Sequence, residues 1–158
     1  MTIAVILDSS PLGLLANTNQ ANPDAVDCAE WLKSLLLKGV DVYVPEVADY
    51  EVRRSLLKID ATTSISKLNQ LNSVLIYQPI TTEAMREASN YWATARKIGK
   101  PTADDKSLDA DMVLVGQAST ISGNLDQVIV ATTNIKHIDN FIEARKWQDI
   151  VPDELLNR

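Results

Sequence analysis

The stretch Ile3-Ala4-Val5-Ile6-Leu7-Asp8-Ser9-Ser10 decides how this chain reads. A short, unbroken apolar run predicts a strand buried on both faces, as in the interior of a parallel sheet. A carboxylate follows it directly. Such a group is costly to bury without a partner, a cation or water. In open α/β sheets, ligands bind beyond the carboxyl ends of the strands. Asp8 is therefore the first candidate site residue.

Working outward, the rest of the chain alternates between strand and helix patterns. A short helix is expected over 11–16, with Pro11 early in its first turn. A longer one is expected over 24–38, where Val26, Trp31, Leu32, Leu35 and Leu36 recur at helical spacing and Gly39 stops it. Residues 40–44 alternate as a short strand that ends at Pro45. Helices are expected over 46–58 and 63–72, with Tyr50 and Leu57 on the apolar side of the first. A third strand is expected over 74–77. Thr81 or Thr82 caps a long helix through 97, and Gly99 ends it. A polar loop over 100–106 leads into the most apolar helix, 108–120. A fourth strand is expected at 128–131, a short helix at 137–144 and a last strand at 148–151. This order predicts one domain over 1–158, a three-layer α/β/α sandwich with a largely parallel central sheet.

Bulk properties narrow the class. The 158 residues are 46 % hydrophobic and 23 % charged, the range of a globular domain. The single cysteine, Cys28, excludes an internal disulfide framework and points to a reducing cytoplasm. No apolar run approaches the roughly 18–20 residues of a membrane span. A net charge of −6 argues against gripping a polyanion by charge alone. Acids clustered in one pocket can nevertheless recruit divalent cations, which in turn bind phosphate. The basic groups Arg53-Arg54-Lys58, Arg96-Lys97-Lys100 and Arg145-Lys146 read as solvated helix faces.

Further polar residues fall at or near element ends. Glu51 lies in the helix after strand two, Asp109 and Asp111 open the apolar helix, and Asn134 follows strand four. Each has a structural explanation: an N-cap for Asp109, a first-turn acid for Asp111, a turn for Asn134, pairing with Arg54 or Ser55 for Glu51. Together they suggest convergence at one sheet edge. Clustered carboxylates repel one another unless cations or protons lie among them. Hard oxygen donors with one histidine in the chain suit Mg²⁺ or Mn²⁺ and not zinc.

Four segments carry a resemblance that runs over essentially the whole chain. They are Ile6-Leu7-Asp8-Ser9-Ser10, the stretch 44–54 containing Glu51, the stretch 109–118 with Asp111 seven residues before Ala118, and the stretch 130–138 containing Thr132 and Asn134. In this order they resemble PIN-domain proteins, the ribonuclease family of the VapC-type toxins. The resemblance implies a Mg²⁺- or Mn²⁺-dependent endoribonuclease. Its site would be Asp8, Glu51, Asp111 and Asn134, with Asp109 as a further metal contact and Ser10 and Thr132 in support. Arg53, Arg54 and Lys136 would contact RNA. A small antitoxin protein and a homodimer are the implied partners. The chain departs from the family at Asn134, an amide where an acid often stands.

Other chemistries fit less well. His137 is the lone histidine, no G-x-S-x-G elbow occurs, and Gly99-Lys100 lacks the upstream glycine of a P-loop. His137 reads as a helix-start or packing residue, and Cys28, Trp31, Trp92 and Trp147 as packing. A receiver-like phosphoacceptor domain would need an acidic neighbour beside Asp8. A non-catalytic PIN-like module that binds RNA or protein is the second reading, favoured by Asn134.

Overall fold

The computed structural model describes residues 2–99, 109–121 and 125–156. The first strand, β1 (Ile3–Leu7), is buried along its whole length, as its unbroken apolar run predicts. It leads into α1 (Ser9–Ala16) and α2 (Pro23–Leu37), then β2 (Asp41–Pro45), α3 (Glu46–Lys58) and α4 (Thr62–Val74). Next come β3 (Ile76–Gln78), α5 (Thr82–Lys97), α6 (Ala110–Ile121) and β4 (Gln127–Ala131). The chain continues through α7 (Ile135–Ile138), β5 (Ala144–Arg145), a 3-10 turn (Trp147–Asp149) and α8 (Pro152–Leu156).

The strands form one five-stranded sheet in the order β3-β2-β1-β4-β5 among the described residues. Every pairing is parallel. Strand side chains alternate between faces. Ile3, Val5 and Leu7 enter a core with Leu12, Leu35, Leu68 and Trp147, while Ile6 enters a second core with Met112, Leu114, Val115 and Ile138. The sheet is thus covered on both sides, which is the expected three-layer sandwich.

The chain builds outward from β1 to β2 and β3, then returns to place β4 on the other flank of β1. The strand order reverses between β1 and β4, and such a switch point places a crevice beyond the carboxyl ends of the strands. Asp8 follows the first of these strands and Thr132 the second.

The starts of α2 and α5 follow local chemistry. Asn22 Oδ1 accepts from Ala25 N at 3.2 Å with Pro23 behind it, and Thr81 Oγ1 accepts from Ala84 N at 3.0 Å. Gly39 and Gly99 take φ of +79° and +72° just past α2 and α5, as helix-ending glycines do.

Four expectations need correction. The short helix near the C-terminal end spans Ile135–Ile138 and not 137–144. The last strand is Ala144–Arg145, and 148–151 is not a strand. There Trp147 and Ile150, three residues apart, both turn inward, and Trp31 Nε1 donates to the Ile150 carbonyl at 2.9 Å. That spacing suits a single helical turn and not a pleat. The third strand begins at Ile76, because α4 runs through Val74. Finally, Val26, Leu36, Tyr50 and Leu57 are exposed; on α3 the core takes Val47 and Val52, as helical spacing predicts, with Ala48 and Asp49. The loop 100–106, with Asp104 and Asp105, lies outside the described residues.

Candidate active site

Asp8 is 3 % exposed, and it is not isolated. Its backbone N–H donates to Ala131 O at 3.0 Å, extending the β1–β4 ladder to the sheet edge. One carboxylate oxygen accepts from Ser9 N at 2.7 Å at the start of α1. The other accepts from the Thr132 hydroxyl at 2.6 Å, across the crevice. The same hydroxyl accepts from Asn134 N at 2.9 Å. A hydroxyl can donate once and accept as well, so the roles are set: Asn134 N–H to Thr132, Thr132 O–H to Asp8. Thr132 is 1 % exposed, and the bond draws the two strand ends together in a region shielded from water.

Glu51 comes from the second turn of α3 and Asp111 from the first turn of α6. Burial raises the Glu51 carboxyl above its ordinary value, and the charges of Asp8 and Asp111 push it further, against the pull of Arg54. Burial and Asp8 likewise raise Asp111, with Asp109 adding and His137 opposing. These three carboxylates therefore share one electrostatic environment. Glu51 also lines a cleft of about 310 Å³ with Ser9, Ser10, Gly13, Arg54 and Ser55. Ser10 is half-buried there.

Asn134 stands exposed at the N-terminus of α7, and its side chain makes no capping bond. Asp109 takes the N-cap reading: its Oδ1 accepts from Met112 N at 3.2 Å, and the residue is buried. Arg53 is half-buried and paired on its own helix. Its Nε and Nη2 donate to the two oxygens of buried Asp49 at 2.9 and 3.0 Å, and Nη2 also reaches Asn69. Arg54 is exposed, with its guanidinium 5.1 Å from the Tyr50 ring centre. Lys136 is exposed on α7.

Two residues have polar partners in the structure that the sequence reading did not give them. His137 Nδ1 lies 3.3 Å from Asp111 Oδ2, so it is a partner of an acid rather than packing. Its signal was its position, three residues after Asn134. Asp49 is the other. It accepts from Arg53 and from Asn72 Nδ2 at 2.8 Å, in the seam between α3 and α4. Its i, i+4 spacing to Arg53 was the available signal.

The donor set fits a hard divalent ion, since Asp8, Glu51 and Asp111 offer oxygen alone. Among the described residues, no three Asp, Glu, His or Cys side chains are already gathered closely enough to hold a metal ion.

No family model matches the sequence, and no curated protein matches it significantly. Solved structures do match. A chain of the VapBC2 complex from Rickettsia felis, bound to a DNA fragment from their promoter, aligns at a TM-score of 0.67 and 14 % identity, covering 91 % of this chain and 98 % of that one. A chain of DNA-bound VapBC from Salmonella typhimurium aligns at 0.68 and 14 %, covering 92 % and 99 %. A chain of VapBC-1 from nontypeable Haemophilus influenzae aligns at 0.62 and 15 %, again covering 92 % and 99 %. At such identities the likeness speaks to the fold, and the parallel sheet covered by helices on both faces agrees with it. This chain has the PIN-like fold seen in VapBC complexes.

Proposed function

We propose that the protein is a divalent-metal-dependent ribonuclease and the toxin of a type II toxin–antitoxin pair. One observation carries the reading: Asp8, buried at the end of β1 and held by Ser9 N and the Thr132 hydroxyl, lies close enough to Glu51 and Asp111 that burial and mutual charge raise the carboxyls of both. Mutual repulsion of this kind costs stability, and a bound cation relieves it. Asp8, Glu51 and Asp111 would hold Mg²⁺ or Mn²⁺. Such an ion lowers the pKa of a coordinated water, so that hydroxide forms near neutral pH.

The protein's own groups do the rest. Thr132 holds the Asp8 carboxylate in place from the opposite strand. His137 steadies Asp111. The exposed Asn134 side chain is free to orient a water or a substrate oxygen at the crevice rim. Ser9 and Ser10 of the adjoining cleft offer hydroxyl donors to a phosphate oxygen, and Arg54 and Lys136 offer charge. A protein partner is part of the proposal, because the fold matches chains of VapBC assemblies. Tyr50, Leu57, Ile80 and Met85 line an apolar groove of about 450 Å³ beside α3, a surface of the kind partners cover. Self-association into a homodimer belongs to the same reading.

The test is a titration of Mg²⁺ and Mn²⁺ by calorimetry with a parallel RNA cleavage assay, on wild type and Asp8→Asn. Saturable binding and cleavage that both collapse in Asp8→Asn are expected. A wild type that neither binds the ions nor cuts RNA sinks the proposal. The amide at Asn134 favours a second reading, a non-catalytic module that binds RNA or protein. RNA binding without metal-dependent cleavage would support it. Cleavage abolished by Asp8→Asn and by Asp111→Asn would exclude it.

A further inference from the structure

Glu51 and Asp111 reach the site from different helices, so something must hold α3 and α6 in register. α3 begins after Pro45 without a side-chain cap of its own. Its first-turn N–H groups have no partner within the helix. Val47 N, one of them, donates to Gln117 Oε1 at 3.1 Å, from a residue 70 positions away on α6. Gln117 Nε2 donates to Gln78 O at the end of β3 at 2.9 Å, and Gln78 Nε2 donates back to Gln117 O at 2.8 Å. The amide orientation follows from its partners, since Val47 N–H needs an oxygen and the Gln78 carbonyl needs an N–H. Gln117 is fully buried in α6, within the buried run 112–118. Both ends of the Gln117 amide are bonded, although Gln78 Oε1 beside it is buried with no partner; a buried amide held at both ends is a rigid link. Val47 is one turn before Glu51 on α3, and Gln117 lies about 9 Å along the α6 axis from Asp111.

We propose that Gln117 is a positioning residue: it caps α3 from α6 and so sets Glu51 against Asp111. The proposal rests on the ribonuclease reading for its activity arm and on the fold alone for its exchange arm. The variants are Gln117→Met, which keeps the length but neither bond, and Gln117→Glu. A buried, protonated Glu can keep one oxygen on Val47 N and place its O–H on Gln78 O. All measurements are made where circular dichroism shows each variant folded.

In Gln117→Met, amide hydrogen exchange at Val47 is expected to speed at least tenfold. Mn²⁺ affinity and kcat for RNA cleavage are expected to fall at least tenfold, with KM for RNA nearly unchanged. Gln117→Glu should recover most of each loss. Unchanged exchange at Val47 overturns the proposal. So does faster exchange with wild-type Mn²⁺ affinity and kcat, because Gln117 would then serve folding alone. A wild type that neither binds Mn²⁺ nor cuts RNA defeats the ribonuclease reading instead, and the exchange comparison still decides whether Gln117 holds α3.

Discussion

Gly116 offers a sharp test of the packing that carries Asp111. It sits in the interior of α6, where α5 crosses. A Cβ added there would meet Ala84 O at 2.3 Å and Ala88 N at 2.9 Å, both backbone atoms. Ordinary close C···O contacts are about 3.3 Å or more, so α5 would have to retreat by about 1 Å. Two effects then compete in Gly116→Ala. Helix propensity favours alanine by about 0.8–1.0 kcal/mol. Overpacking against rigid backbone costs about 1–3 kcal/mol and sometimes more. With the nearest atom so close, the upper end applies, and the net loss is about 2 kcal/mol. For a chain of this size that is roughly 4–8 °C in Tm. Gly13, inside α1, is the matched control. Its Cβ would meet nothing nearer than Val52 Cγ2 at 4.0 Å, so Gly13→Ala should gain up to about 1 kcal/mol. Urea unfolding followed by circular dichroism measures both. Equal or greater stability in Gly116→Ala, or loss in Gly13→Ala, would refute the packing account.

Three further outcomes follow from the polar groups. The folded-state Glu51 carboxyl is raised by burial and by Asp8 and Asp111, so its ionised form destabilises the fold above that raised value. Without added metal, Glu51→Gln should therefore raise Tm at neutral pH, and the gain should vanish as pH falls toward the ordinary carboxylate value of about 4.3; a loss of Tm at neutral pH would count against the acid cluster. Burial opposes ionisation of Asp49, but hydrogen bonds from Arg53 and Asn72, with the Arg53 charge, outweigh it and hold the carboxyl below its ordinary value. Asp49→Asn should then cost about 1.5–3 kcal/mol at pH 7. In a pH series of unfolding curves, that difference should narrow as pH drops below about 4, through the depressed value. Thr132→Val keeps the shape but removes the 2.6 Å bond to Asp8 and the acceptor for Asn134 N. It should cost about 1.5–3 kcal/mol in chemical unfolding and weaken Mn²⁺ binding in calorimetry; unaltered values in both would mean that Thr132 does not hold Asp8.

Much of the candidate site was legible in the linear chain. The run before Asp8 reads as a buried strand because five apolar residues in succession suit a strand covered on both faces. Asp8 stood out because a carboxylate cannot end such a strand at no cost. Asp109 as an N-cap and Thr81 as the start of α5 came from local rules that the structure obeys. Other points needed the folded chain. Arg53 carries the same charge in a loose basic cluster as in a pair with a buried acid, and burial of Asp49 decides that it is paired. Tyr50 and Leu57 fit an apolar stripe, yet only packing tells which side of α3 meets the core.

The division has a physical basis. Strand, helix and cap are set by residues a few positions apart, so the sequence by itself determined the α/β alternation and put acids at or near element ends. The order of strands in the sheet is set by which apolar faces pack together, over long separations. Only the tertiary structure decided that β4 lies beside β1, which brings Thr132 onto Asp8 across 124 positions. The same long-range packing supplies α3 with a cap from Gln117 that no neighbouring residue provides. Short-range rules act through the backbone of one segment, whereas these contacts exist only once separate segments have been buried against each other.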